Sequence, residues 1–173
     1  VSKLINFIRF STHLHANGIS PLVVESYSDD SLYRVNNLSQ NVISVKNASV
    51  YWQKEALINI GIQKLLDDGC EYIMWLDTDI EFLTKNFLEH IINSTKFHGV
   101  SQVFRTAFRD SQYTNSNKKS TCYHTTINPN DKHKVLFNRI GDPGYGYCYH
   151  RNYLTQNLLF DKAVVGTGDF LNL

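Results

Sequence analysis

The sequence predicts an α/β fold, in which one domain spanning residues 1–173 has a mainly parallel sheet with helices on both faces. Segments of helical and strand character alternate through the first part of the chain, which is typical of such sheets. Residues 72–76 are all large and apolar, as expected of a strand covered on both faces. A hydrophobic content of 42% in 173 residues is enough for one buried core.

Composition argues against several classes of function. The 17 basic residues nearly balance the 16 acidic ones, so the chain has no excess of positive charge with which to bind nucleic acid or an anionic membrane. No window approaches the roughly 18 apolar residues that span a bilayer, and no basic-then-apolar leader is seen. We therefore expect no membrane span or signal peptide, and a cytoplasmic bacterial or viral protein. The three cysteines, Cys70, Cys122 and Cys148, suggest reduced structural thiols.

The first elements follow from periodicity and turn residues. Residues 2–16 predict a helix that ends at Asn17 and Gly18, where glycine provides a left-handed cap. Residues 21–25 and 42–45 predict short strands on either side of a polar connection. The residues of the first helix that recur at helical spacing are Leu4, Phe7, Ile8 and Ser11.

The middle of the chain continues the alternation. Residues 51–66 predict a helix that residues 67–69 (DDG) terminate. After the apolar strand, Thr84 is the expected N-cap of a further helix, and residues 100–105 predict another strand. The expected apolar positions of the two helices are Ala56, Leu57, Ile60, Leu65 and Leu66, and then Phe87, Leu88, Ile91 and Ile92.

The alternation breaks at about Ala107. Residues 107–134 are rich in Ser, Thr, Asn and Lys and predict a long polar loop, a length that is typical of functional or mobile segments. His124 and His133 lie in it without a convincing metal-ligand spacing, so they are read as ordinary loop residues. Strand character resumes at residues 135–140, and a glycine- and tyrosine-rich stretch follows.

The apolar strand ends in an Asp-x-Asp motif formed by Asp77 and Asp79. In open α/β sheets the ligand lies beyond the carboxyl ends of the strands, where these two side chains emerge. Two close carboxylates repel each other unless a cation neutralises them, and a hard divalent ion bridged to a diphosphate does so. The motif therefore predicts Mg²⁺ or Mn²⁺ and a nucleotide. The alternative is that both residues cap the next helix or face water.

Three segments stand in a fixed order: residues 52–59 (WQKEALIN), 75–79 (WLDTD) and 166–169 (GTGD). Together they resemble a glycosyltransferase of the GT-A fold, in particular the metal-dependent inverting kind typified by the β-1,4-galactosyltransferases. The resemblance covers roughly residues 50–83 and 139–170. It implies a GT-A-like (Rossmann-like) domain that moves a sugar, with inversion, from a nucleotide-diphosphate sugar to a hydroxyl. The expected donor is a UDP-sugar and the expected acceptor a saccharide or another alcohol.

The resemblance also assigns roles to charged residues. Asp77 and Asp79 would hold the Mn²⁺ or Mg²⁺ that offsets the charge developing on the diphosphate. Asp79 would coordinate the ion directly, with Asp77 nearer the ribose or in the outer shell. Lys54 occupies the place of a basic residue that contacts the nucleotide; its alternative is a solvated lysine on the first turn of a helix.

The late glycine-rich segment would provide the base and the donor cradle. Asp169 matches the acidic residue that takes the proton of the acceptor hydroxyl; its alternative is a helix cap. Gly166 and Gly168 would let the backbone pass close to the sugar, because a Cβ there would obstruct it. Gly146 and Gly144 could do the same beneath the donor, or could serve as ordinary turn residues.

The chain also departs from the family pattern. Its late segment has one acidic residue where the galactosyltransferases have several, and neither the family's opening strand nor its downstream His or Asp is visible. We therefore expect a domain truncated at both ends. Two other functions stay open: a nucleotidyltransferase, although the Gly-rich basic loop expected of one is missing, and a non-catalytic carbohydrate-binding or structural module derived from a transferase.

Overall fold

The structure, a computed structural model, describes residues 2–27, 35, 41–46, 53–109, 116–119 and 144–162. Its helices in these ranges are α1 (Ser2–Ala16), α2 (Lys54–Asp67), α3 (Phe87–His98) and the short α4 (Arg151–Leu154). Its strands are β1 (Val23–Tyr27), β2 (Val42–Lys46), β3 (Tyr72–Leu76), β4 (Val100–Gln102), β5 (Thr106–Arg109), β6 (Ser116–Lys119) and β7 (Gly146–His150). The predicted α/β class is confirmed at the level of a mixed α/β protein.

The sheet that contains β3 has the strand order β3-β7-β4, and β7 runs antiparallel to both of its neighbours. Among the described strands, parallel pairing occurs between β1 and β2. The mainly parallel sheet that we predicted is therefore wrong for this part of the chain. A helical crossover returns a strand parallel to its predecessor, and β3 and β4, which α3 connects, do run in the same direction. β7 follows residues 120–143, which lie outside the described residues, and the predicted alternation had already broken at about Ala107, so it gave no prediction for the direction of β7.

Helices cover both faces of the β3-β7-β4 sheet, as predicted. Side chains of β3 point alternately to the two sides. One core cluster joins β3 and β7 to α2, α4 and Leu159, and its buried members are Ile62, Leu66, Ile73, Tyr147, Tyr149, Leu154 and Leu159. The other joins the opposite face to α1 and α3, and its buried members are Phe10, Leu14, Phe87, Ile91, Val103 and Cys148. The uninterrupted apolar sequence of β3 is explained by these two cores.

Helix α1 has the predicted bounds but a rotated buried face. Phe7, Phe10 and Leu14 are buried, whereas Ile8, which also recurs at helical spacing, is 46% exposed. The helix ends as predicted at Gly18, whose φ is +74°. The Ile19 N–H donates to the Leu14 carbonyl at 3.0 Å, which completes a Schellman cap.

Helix α2 contacts both β1 and the β3-β7-β4 sheet. Gly61 lies against Val24, and a Cβ at that glycine would approach Val24 Cγ2 to 3.1 Å. On the same helix the Asn59 amide donates to the Leu159 carbonyl at 2.8 Å and accepts from the Leu159 N–H at 3.0 Å. Ile60, which we assigned to the core, is 38% exposed. The stop at Gly69 is confirmed, with a φ of +83°.

A stack of aromatic rings lies between the Asp-x-Asp motif and the start of α3. The rings of Phe82 and Phe87 are parallel, with centroids 4.0 Å apart, and the ring of His13 from α1 stacks against both. His13 Nε2 also accepts from the Phe82 N–H at 3.3 Å. The predicted N-cap at Thr84 is wrong: α3 begins at Phe87, after Asn86 in a left-handed conformation with φ +60°. Asn86 makes no side-chain capping hydrogen bond, and the stack of Phe82 on Phe87 lies at the start of α3.

Part of the predicted polar loop 107–134 forms strands. β5 and β6 pair in antiparallel register from Thr106 opposite Lys119 to Arg109 opposite Ser116. The remainder of that loop, and the strand predicted at residues 135–140, lie outside the described residues. Cys70 and Cys148 are free thiols, as predicted, and Cys122 lies outside the described residues.

A small polar cluster is enclosed between α3 and the sheet. Thr95 is fully buried; its hydroxyl lies 2.5 Å from that of Ser101 and donates to the Ile91 carbonyl at 2.9 Å. Cys148 is buried next to them, and this burial raises the pKa of its thiol above the ordinary value of 9.0. The thiol is therefore protonated in the folded protein at neutral pH.

The Cys148 thiol is expected to make stability fall at high pH. Below pH 9 the thiol is protonated in both the folded and the unfolded state, so its contribution to the free energy of unfolding is fully present. Above this pH the unfolded chain ionises first, and the free energy of unfolding falls, by at most about 1.4 kcal/mol per pH unit, until the folded-state pKa is passed. Urea unfolding of the wild type and Cys148→Ala between pH 8 and 10.5 measures the difference.

The variant removes the titration of Cys148. Tyr72, whose pKa is raised mainly by burial and in smaller part by Cys148, is retained in both proteins. The expected result is a steeper loss of stability in the wild type than in Cys148→Ala. Equal slopes in the two proteins would contradict the assignment.

Candidate active site

The candidate site lies where β3 and β4 end and β7 begins. Leu76, the last residue of β3, stands opposite Gly146, the first residue of β7. One residue beyond, the Asp77 N–H donates to the Tyr145 carbonyl at 3.0 Å. From the end of β4, the Gln102 side-chain amide donates to the Gly144 carbonyl at 3.1 Å. These hydrogen bonds hold residues 144–146 beside the Asp-x-Asp motif, at the sheet edge where we predicted a ligand.

Gly146 lies where two strands approach each other closely. Its φ is +151°, and a Cβ built there would lie 2.5 Å from the Trp75 carbonyl oxygen and 2.8 Å from Leu76 Cδ2. Real Cβ atoms do not come so near to a backbone oxygen. We predicted a glycine in contact with the donor, and the structure places Gly146 in the interior against β3. The β3–β7 packing alone accounts for a glycine at this position.

Tyr145 has a strained backbone conformation and contacts both Asp77 and Phe104. Its φ of +72° is uncommon for a residue with a side chain, and such conformations cost about 1–3 kcal/mol. Its N–H donates to Asp77 Oδ2 at 3.2 Å, and its ring meets Phe104 edge-on with centroids 5.0 Å apart. The signal for its backbone role was its position between Gly144 and Gly146.

Asp77 is paired with Lys54. The Lys54 ammonium, on the first turn of α2, lies 2.8 Å from Asp77 Oδ1, and the two side chains are 23% and 29% exposed. The same ammonium lies 4.7 Å from the centroid of the Trp75 ring, within the range of a cation–π contact. We predicted that Lys54 contacts a nucleotide and that a metal neutralises Asp77. In the structure, Lys54 itself offsets the charge of Asp77.

Asp79 differs from Asp77 in its surroundings. It lies in the turn that follows β3, is exposed, and makes no hydrogen bond or ion pair with the described part of the chain. Because Asp79 is exposed, an external ligand can reach its carboxylate, whereas both oxygens of Asp77 already accept from Lys54 and Tyr145. The structure brings Lys54, Asp77 and the Asp79 turn to one edge of the sheet.

Asp77 and Asp79 provide some, but not all, of the oxygen ligands that a hard divalent cation needs. Carboxylate oxygens are the ligands that Mg²⁺ and Mn²⁺ prefer, and each carboxylate has about four lone-pair positions, so the hydrogen bonds of Asp77 leave room for a further contact. Among the described residues, no group of three or more His, Cys, Asp and Glu side chains could hold a metal ion. Asp77 and Asp79 would therefore need ligands from elsewhere, such as phosphate oxygens and water.

The other predicted site residues lie outside the described residues: Asp169, Gly166 and Gly168. The last buried residue that the structure describes before them is Leu159, which the paired hydrogen bonds to Asn59 attach to α2. The roles predicted for these three residues stay predictions.

No helix in the described ranges has the length and apolar character needed to cross a bilayer. None of the protein families, curated protein sequences or solved structures with which the chain was compared matches it.

Proposed function

We propose that this chain is the donor-binding part of a GT-A-type glycosyltransferase, which moves a sugar from a nucleotide-diphosphate sugar, expected to be a UDP-sugar, to an acceptor hydroxyl with inversion. The observation that carries the proposal is the convergence of Lys54, Asp77 and the Asp79 turn at the carboxyl end of β3. An ammonium and two carboxylates at a sheet edge can serve both a diphosphate and its counter-ion.

Each residue of the site has a distinct task in this proposal. Asp79, whose carboxylate is exposed, holds a divalent ion directly. Asp77 faces the same ion and, before the ligands bind, contacts Lys54 and the Tyr145 N–H. Lys54 binds a phosphate oxygen of the donor. The ion, when bound, supplies electrostatic stabilisation of the diphosphate leaving group. Asp169 takes the proton of the acceptor hydroxyl.

A non-catalytic module derived from a transferase is the second candidate. It is favoured by one observation: both oxygens of Asp77 have partners within the protein, so this carboxylate is stable without a metal ion. In that case the ion pair is a structural contact between α2 and β3. The two candidates differ in one measurable property, which is whether a divalent ion promotes nucleotide binding.

Calorimetric titration of UDP into the purified chain, with and without Mn²⁺, tests the proposal. We expect binding in the presence of Mn²⁺ and a loss of at least about tenfold in affinity for Asp79→Asn, because the amide removes a charged metal ligand. The unfolding free energy should change by less than about 0.5 kcal/mol, since Asp79 is exposed and has no described partner.

Glu81→Gln is the matched control. Glu81 is exposed and follows Asp79 by two residues, so its substitution removes the same charge from the same segment. It should leave UDP affinity close to that of the wild type. If the folded wild-type chain binds no UDP with or without Mn²⁺, the glycosyltransferase proposal is wrong and the non-catalytic module is the better account.

A further inference from the structure

The position of Lys54 has a consequence for the order in which ligands bind. Its ammonium lies 2.8 Å from one oxygen of Asp77, the carboxylate that would also face a divalent ion. Both side chains are less than one-third exposed, so water screens their charges only in part. An ammonium and a divalent ion at the same carboxylate repel each other. The resting ion pair therefore opposes binding of the cation alone.

A diphosphate changes this balance. Its oxygens offer Lys54 a second anion, and bonds between ammonium groups and phosphate are strong and charge-assisted. Movement of Lys54 toward the phosphate frees Asp77 Oδ1 for the cation. The Trp75 ring, 4.7 Å from the ammonium, provides a face along which the lysine can remain as it changes partners.

We propose that the Lys54–Asp77 ion pair couples the binding of a divalent cation to that of a nucleoside diphosphate, so that each ligand raises the affinity for the other. Lys54 competes with the cation in the absence of the diphosphate and binds the diphosphate in its presence. The inference rests on the proposed function, since it concerns the same donor site. By linkage, the factor by which UDP strengthens Mn²⁺ binding equals the factor by which Mn²⁺ strengthens UDP binding.

The test is a thermodynamic cycle on the wild type, Lys54→Met and Lys64→Met. Methionine keeps an unbranched apolar side chain against Trp75 and removes the charge. Lys64 lies on the last turn of the same helix and pairs with Asp68 on the surface, so Lys64→Met removes the same net charge elsewhere. Mn²⁺ binding is measured by the loss of the free-ion paramagnetic resonance signal, with and without UDP, and UDP binding by calorimetry.

In the wild type we expect UDP to strengthen Mn²⁺ binding by about fivefold or more. In Lys54→Met, Mn²⁺ alone should bind more tightly than in the wild type and UDP with Mn²⁺ more weakly, so the coupling factor should be smaller than in the wild type. Lys64→Met should match the wild type. This pattern requires no turnover, so the result does not depend on knowing the sugar or the acceptor.

Two results overturn the inference, and they have different meanings. If the wild type binds UDP with Mn²⁺ but Lys54→Met has the same coupling factor, the inference fails and the proposed function stands. If the wild type binds no UDP under either condition, the proposed function and the inference fail together.

Discussion

Gly146→Ala is expected to destabilise the folded protein by about 3 kcal/mol or more. Two effects add. The φ of +151° is unfavourable for alanine, and the new Cβ would lie 2.5 Å from the Trp75 carbonyl oxygen. Relief would require β7 to move away from β3, although these strands pair over five residues and share a core. Urea unfolding with circular dichroism measures the loss, and a chain that fails to fold is the extreme of the same result.

Gly99→Ala separates the two effects. Gly99 has a φ of +80°, but no heavy atom lies within 4 Å of the position where its Cβ would be. Its substitution should therefore cost only the backbone strain, about 1–2 kcal/mol. If Gly146→Ala costs no more than Gly99→Ala, the close approach of β3 and β7 does not require a glycine.

Asp77→Ala is expected to weaken UDP binding strongly and also to lower stability. It leaves the Lys54 ammonium and the Tyr145 N–H without the carboxylate that each contacts, at 2.8 and 3.2 Å. Loss of these hydrogen bonds should cost about 1–2 kcal/mol of unfolding free energy, because both groups are only partly exposed. UDP affinity in Mn²⁺ should fall by about 100-fold or more, since the metal site and the position of Lys54 change together.

Comparison with two other variants distinguishes the roles of the acidic residues. Asp77→Asn keeps an oxygen that can accept from Tyr145, so it should lose UDP affinity with less loss of stability than Asp77→Ala. Asp79→Asn should lose affinity with almost no loss of stability. If Asp77→Ala binds UDP as tightly as the wild type does, Asp77 contributes to the stability of the fold and not to ligand binding.

The helices and the buried strand were predictable because their signals are local. Gly18 and Gly69 end α1 and α2 where a left-handed residue is needed, and the uninterrupted apolar sequence of β3 requires cover on both sides. Which apolar residues of a helix are buried was less predictable. Ile8 and Ile60 both lie at helical spacing, yet both are exposed. An apolar side chain at helical spacing can lie at the margin of a core as well as in its centre. The direction of β7 was not predictable, because the alternation of helices and strands breaks at about Ala107, before this strand.

The candidate site was predictable as a set of residues but not as a set of contacts. Sequence placed Asp77 and Asp79 at the end of a strand, and Lys54 near them by resemblance. The pairing of Lys54 with Asp77 depends on how α2 lies against β3, and the left-handed Tyr145 on the register of β7. Both are products of tertiary packing that no local pattern indicates.

The stack of His13 on Phe82 and Phe87 affects the assembly of the site. The hydrogen bond from the Phe82 N–H to His13 connects residues 69 positions apart, so a large part of the chain must be enclosed before it can form. Such non-local contacts are slow to form, because the entropy of loop closure is lost before they provide any stabilisation. We therefore expect the segment that carries Asp79 to take its final shape late in folding. Helix α1, which provides His13, would then hold this segment in place.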